Sequence, residues 1–222
     1  MSKTTELVQR VMDRSAIIRG LRRIDGAIQA GVWRLDPKPP APPAVKYALV
    51  RKVARQFGCR ALIETGTYIG DMVQHSLPHF DAIHTIELAP FYYQRASRRF
   101  AKRPTVRVYH GDSGEILPSV IASLKSRAVI WLDAHWAGGI TAKAALRTPI
   151  VAELETLSRH PEHVVLIDDA HAFSGEDGNP ALADMEQVAK RYLPQHTFAI
   201  RNNIMELLPR DVMPANGSTE SV

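Results

Sequence analysis

One cysteine in 222 residues, Cys59, excludes an internal disulfide framework. No apolar run approaches the roughly twenty residues that a membrane-spanning helix needs, and no leader pattern is visible. The expectation is therefore the reducing cytoplasm. Solenoid periodicity is missing too, and low complexity is confined to one proline tract. Basic residues are not interleaved with aromatics and no nucleic-acid motif occurs, so no nucleic-acid partner is expected. What remains is a chain sized for one well-buried core with an appendage.

Charge is unevenly placed. Of the formal net charge of +5, residues 1–60 carry thirteen Lys/Arg against four Asp/Glu, which leaves the remainder net acidic. Leu7, Val11, Ile18, Leu21, Ile28 and Val32 recur at three- to four-residue multiples, predicting an N-terminal helical extension over 1–36 made of one amphipathic helix or a helix pair. Its basic face, with Arg14, Arg19, Arg22, Arg23 and Arg34, could meet anionic lipid, a phosphorylated substrate or nucleic acid, but reads first as a solvated face on a helix packed against its own domain or against a twin subunit, the latter giving a homo-oligomer through this helix. Asp36-Pro37-Lys38-Pro39-Pro40-Ala41-Pro42-Pro43 predicts a stiff extended linker at 37–43, because each proline fixes φ and removes a donor. The main domain then runs over 44–222.

Within it, five short apolar runs end in acids: Ala61–Glu64, Ile83–Glu87, Val106–Asp112, Val129–Asp133 and Val164–Asp169. Helical patterns fit 44–57, 70–77, 90–102, 114–125, 148–160 and 180–191. Alternation of this kind predicts a mostly parallel, doubly wound, Rossmann-like α/β sheet with helices on both faces. The tail departs from the rhythm, since His196–Ile200 and Ile204–Leu208 are separated only by Arg201-Asn202-Asn203 and must form an antiparallel hairpin. Ligands bind at the carboxyl ends of such strands, so the acids predict a carboxylate rim around a small-molecule site.

The loop Glu64-Thr65-Gly66-Thr67-Tyr68-Ile69-Gly70-Asp71 lies between the first strand and a helix, where glycine permits close approach of a ligand to the backbone. Glu87 follows Glu64 at about the offset at which an acid in a nucleotide-binding βαβ unit takes ribose hydroxyls. Asp-Ala-His occurs twice, at Asp133–His135 and Asp169–His171. If both strands stay extended, Asp133, His135, Asp169 and His171 share a face and form a mixed site suited to Mn²⁺, Fe²⁺ or Zn²⁺. His135 is the first candidate general base because imidazole titrates near neutrality, and Lys143 the second. The stretches 136–143 and 173–180 read as loops flanking an acceptor, with Arg147 or the N-terminal arginines available to an anionic group.

On these residues, over about 60–210, the chain resembles the class I S-adenosylmethionine (SAM)-dependent methyltransferases. The resemblance implies that Glu64, Gly66, Thr67, Tyr68 and Gly70 face the methionine part of SAM, Glu87 the ribose, and Gly111-Asp112-Ser113 the adenine, with Asp133 also beside the cofactor. The family's usual loop has glycine where this chain has Tyr68. Asp133, Asp168 and Asp169 further resemble the metal ligands of the catechol- and macrocin-type O-methyltransferases, which implies Mg²⁺ or Mn²⁺ and a small-molecule hydroxyl acceptor, with Asp133 catalytic as well. A hard cation prefers oxygen ligands and lowers a bound hydroxyl's pKa. Consecutive Asp168 and Asp169 converge only if the strand bends there. Metal-free N-methylation, a nicotinamide-dependent oxidoreductase and a non-catalytic interaction module remain alternatives.

Overall fold

The computed structural model describes residues 26, 28–133, 149–175 and 180–210. Seven strands, β1 (Ala61–Thr65), β2 (Ala82–Glu87), β3 (Val106–His110), β4 (Ala128–Leu132), β5 (Val164–Ile167), β6 (His196–Arg201) and β7 (Ile204–Pro209), form one sheet in the order β3-β2-β1-β4-β5-β7-β6. The first five are parallel, whereas β7 runs antiparallel to both β5 and β6. The parallel sheet closed by a hairpin is thus the predicted one. Asn202 and Asn203 form the hairpin connection with φ of 55° and 62°, the left-handed region that Asn tolerates.

Both faces of the sheet are covered, and strict alternation along the strands assigns each side chain to one of them. Ala61, Ile63, Ile130, Leu132, Val165 and Ile167 pack with α4 (Ser113–Ala122), α5 (Ile150–Leu157) and α6 (Leu182–Tyr192). Leu62, Ile83, Val129, Trp131, Val164 and Leu166 pack with α1 (Pro43–Phe57), α2 (Asp71–Ser76) and α3 (Pro90–Phe100). Parity then puts Glu64, Asp133 and Asp168, each two residues beyond a member of the second set, on the α1 face.

Helix α1 begins where proline suits a first turn and ends at Gly58, whose φ of 64° supplies a left-handed cap. The Cys59 amide donates to the Ala54 carbonyl at 2.8 Å, so the chain turns sharply into β1. Upstream, residues 28–35 are helical, and Ala30, Ala41 and Val45 are buried together with Trp33 and Ala44 against them. The expected extended linker is instead bent at 39–40, and the Trp33 indole donates to the Lys38 carbonyl at 2.6 Å. Ala41 is buried next to this bend. Ile28, Val32 and Leu35 on the same segment are exposed. No helix among the described residues is long and apolar enough to cross a membrane.

Candidate active site

The strand order reverses between β1 and β4, and the crevice outside their carboxyl ends is where an open α/β sheet takes its ligand. The β1 and β4 tips are tied together by the Asp133 amide, which donates to the Thr65 carbonyl at 3.1 Å. Around this point the predicted residues gather in two groups.

The first group is the loop after β1. Glu64 is buried at the β1 end, and its Oε2 accepts from the Thr85 hydroxyl at 2.6 Å, while Thr85 Oγ1 lies 2.5 Å from Thr67 Oγ1. Burial pushes the Glu64 carboxyl well above its ordinary pKa; the Thr85 bond opposes this, and the charges of Asp133, Glu87 and Asp71 add to it. Glu87 is also buried. Its Oε2 accepts from the Tyr68 amide and its Oε1 from the Ala89 amide, both at 2.8 Å, so the β2 acid holds the β1 loop in place. Each carboxylate oxygen has a further lone pair for a ligand hydroxyl.

Tyr68 occupies the place where glycine is usual and adopts φ of 47°, the left-handed conformation glycine would supply. Its ring is exposed against Tyr92, with centroids 4.7 Å apart. Gly70 has φ of 76°, and a Cβ there would lie 2.7 Å from the Phe100 ring, so this glycine is required by packing as well as by backbone. The following helix, α2, has six residues. Arg99 secures the turn by donating to the Ile69 carbonyl and to Asp71 Oδ1, the latter at 2.9 Å. At the β3 end, Asp112 caps α4, its Oδ1 accepting from the Gly114 amide at 2.8 Å, and Ser113 is buried as the first residue of that helix. The capping role takes one Asp112 oxygen.

The second group is the carboxylate set. Asp133, Asp168 and Asp169 bring oxygens within 4.8 Å of one another. The bend that this requires is present: Asp169 has φ 49° and ψ 51°, after which Ala170–Ala172 form a 3₁₀ turn. That turn also removes His171 from the set, contrary to the mixed carboxylate and imidazole site. The strand ends at Ile167, so period-two alternation no longer applies, and exposed His171 pairs through Nδ1 with Asn203 Nδ2 at 2.8 Å. His135, Lys143 and Arg147, together with the loop at 136–143, lie outside the described residues.

Lys46 is the residue that sequence reasoning missed. From the first turn of α1 its Nζ lies 2.5 Å from Asp168 Oδ2 and 3.3 Å from Asp169 Oδ1. Asn203 Nδ2 donates to Asp169 Oδ1 at 3.3 Å, and Asp168 Oδ1 accepts from the Asp169 amide at 2.8 Å. Oxygen donors in this number and spacing fit a hard cation such as Mg²⁺ or Mn²⁺, yet an ammonium stands among them. Nothing in the local sequence marks Lys46, which lies 122 residues from its partner.

Burial and the Asp133 charge push the Asp168 carboxyl up to about 6, despite the opposing ammonium. Lys46 is shifted up as well: burial lowers it, but the attraction of Asp168 and Asp169 outweighs that. Of these two effects on the pair, burial governs Asp168, whose side chain is 1% exposed. An acid whose folded pKa is raised binds its proton in the native state first, so its linkage term favours the fold at low pH. This favour is lost as pH rises from about 4 through about 6, a change of about 3 kcal/mol in order of magnitude. Accordingly, the stability difference between wild type and Asp168→Asn should move against wild type between pH 4.5 and 7.5, read by urea unfolding at each pH. A constant difference would remove the burial argument.

No protein-family model matches the sequence, and no curated protein matches it significantly. Solved structures do. An O-methyltransferase from Bacillus cereus in complex with SAH aligns over 90% of this chain and 96% of its own, with TM-score 0.54 and 13% identity. An SAH-bound methyltransferase of Podospora anserina aligns over 84% and 88%, with TM-score 0.53 and 14% identity. The chain has the fold of the class I methyltransferases.

Proposed function

We propose that this protein is a SAM-dependent methyltransferase acting on a hydroxyl of a small metabolite or glycosyl acceptor. The carrying observation is that Glu87, at the tip of β2, holds the glycine-containing β1 loop by its Tyr68 amide, beside a rim otherwise lined with carboxylates. SAM carries a sulfonium cation, which the carboxylates of Glu87 and Asp133 attract. The same charges repel the pyrophosphate of a nicotinamide dinucleotide, and a six-residue α2 beginning with Asp71 offers that anion little.

In the proposed reaction a lone pair of the acceptor oxygen attacks the methyl carbon. The carbon–sulfur bond breaks with its electrons remaining on sulfur, and the hydroxyl proton passes to a general base, for which His135 is the first candidate and Lys143 the second. Orientation of oxygen, methyl carbon and sulfur in line is the main contribution of the site. A divalent cation at Asp133, Asp168 and Asp169 would supply further charge stabilisation to that oxygen, and the convergence of the three carboxylates supports this form of the reading. The Lys46 ammonium supports a metal-free form.

The test is thermal unfolding with SAM, SAH and NADH. A ligand at a hundredfold its dissociation constant adds about 2.7 kcal/mol, a rise of roughly 5 to 10 °C for a chain of this size. SAM and SAH are expected to give that rise and NADH none. A rise with NADH alone would transfer the reading to an oxidoreductase, and no rise at all would point to an interaction module.

A further inference from the structure

We propose that Lys46 takes the place of a divalent cation in this site, so that its ammonium, and not a metal ion, balances Asp168 and Asp169 and donates a hydrogen bond to the acceptor oxygen. The inference rests on the methyltransferase reading for the identity of that oxygen, but its cation part does not.

A carboxylate as buried as Asp168 needs a partner, because an uncompensated buried charge is costly. The fold already supplies one. Lys46 extends from α1, a helix anchored by the buried side chains of Val45, Val50, Val53, Ala54 and Phe57, so the ammonium is delivered by a rigid element and not by a loop. Its own side chain is only 16% exposed. Of the four oxygens of Asp168 and Asp169, three accept from protein donors: Asp168 Oδ1 from the Asp169 amide, Asp168 Oδ2 from Lys46, and Asp169 Oδ1 from Lys46 and Asn203.

Size and charge then oppose a metal. Mg²⁺ demands oxygens at about 2.0–2.1 Å in near-octahedral order. The Lys46 nitrogen lies 2.5 Å from Asp168 Oδ2 and 3.3 Å from Asp169 Oδ1, so it already occupies a bonding position on two of the three carboxylates and repels the ion as a like charge. Binding would require expelling the ammonium from a partly buried position and leaving it without both carboxylates. Geometry also gives Lys46 a use. An ammonium has three N–H bonds, of which two are directed to Asp168 and Asp169. The third can meet an acceptor oxygen, which places that oxygen beside the carboxylate rim without a metal.

The experiment is titration of Mn²⁺ into the full chain in the presence of SAH, followed by the electron paramagnetic resonance signal of the free ion, with SAH binding measured on the same samples by calorimetry. Wild type is expected to leave the Mn²⁺ signal unchanged. Lys46→Met, which keeps the stem and removes the charge, should bind Mn²⁺ at least tenfold more tightly than wild type, and adding Asp168→Asn should abolish that gain. Wild-type binding of Mn²⁺ that Asp168→Asn removes would overturn the inference, as would a folded Lys46→Met that gains nothing. Should Lys46→Met fail to fold, the comparison of wild type with Asp168→Asn decides alone. Failure of wild type to bind SAH would instead count against the methyltransferase reading, whatever the Mn²⁺ result.

Discussion

Glu87→Ala is expected to weaken SAM binding by roughly 30- to 150-fold, a loss of about 2–3 kcal/mol. Hydrogen bonds to a charged group contribute about 1.5–3 kcal/mol each, and a carboxylate at the β2 tip can take two ribose hydroxyls. Water entering the truncated site returns part of that. The substitution has a second effect, because the Tyr68 and Ala89 amides lose their acceptor and the β1 loop loses its tie to β2. Glu87→Gln separates the two: it keeps one carbonyl acceptor, so its loss of affinity should fall between wild type and alanine. Calorimetry with SAM and SAH measures both variants. An unchanged affinity for Glu87→Ala would remove the ribose assignment and leave Glu87 as a loop anchor.

Trp131→Ala carries the largest expected loss of stability. Trp131 is 1% exposed near the carboxyl end of β4, opposite Glu64 on β1 and Leu166 on β5, within the layer that seats α1, α2 and α3. Truncating a buried aromatic costs about 3–5 kcal/mol through lost transfer energy and the cavity left behind. For a domain of this length that corresponds to a fall of roughly 6–20 °C in Tm. Because α1 also positions Lys46, the cavity should loosen the Lys46–Asp168 pair, and SAH should recover only part of the lost stability. Thermal unfolding with and without SAH provides the measure; a fall below about 2 °C would mean that the indole is not integral to this layer.

Much of the site was legible because the sheet is parallel and buried. Short apolar runs, unbroken in β4 and β5 and interrupted by polar residues in β2 and the half-exposed β3, locate the five parallel strands, and chain direction then puts the terminal acids on one rim. Period-two alternation carries further: Asp133 and Asp168 stand two residues after Trp131 and Leu166, hence on the same face as α1. The error over His171 arose from extending this rule past the end of the strand, where Asp169 turns into the left-handed region. Asp112 takes a local role that the sequence reading did not assign, as the cap of α4.

Sequence alone determined the strand and helix order, the closing hairpin, the β1 loop and the identity of the acids at the strand tips, because each depends on local periodicity or on residues close in the chain. Tertiary structure decided which groups meet. Asp169 joins Asp168 through a backbone turn in the left-handed region, Glu87 reaches across to the Tyr68 amide, and Lys46 crosses from α1 to β5. The physical reason is that apolar burial fixes how layers stack, whereas the partner of a buried charge is set by whichever side chain the stacked layers bring within about 3 Å.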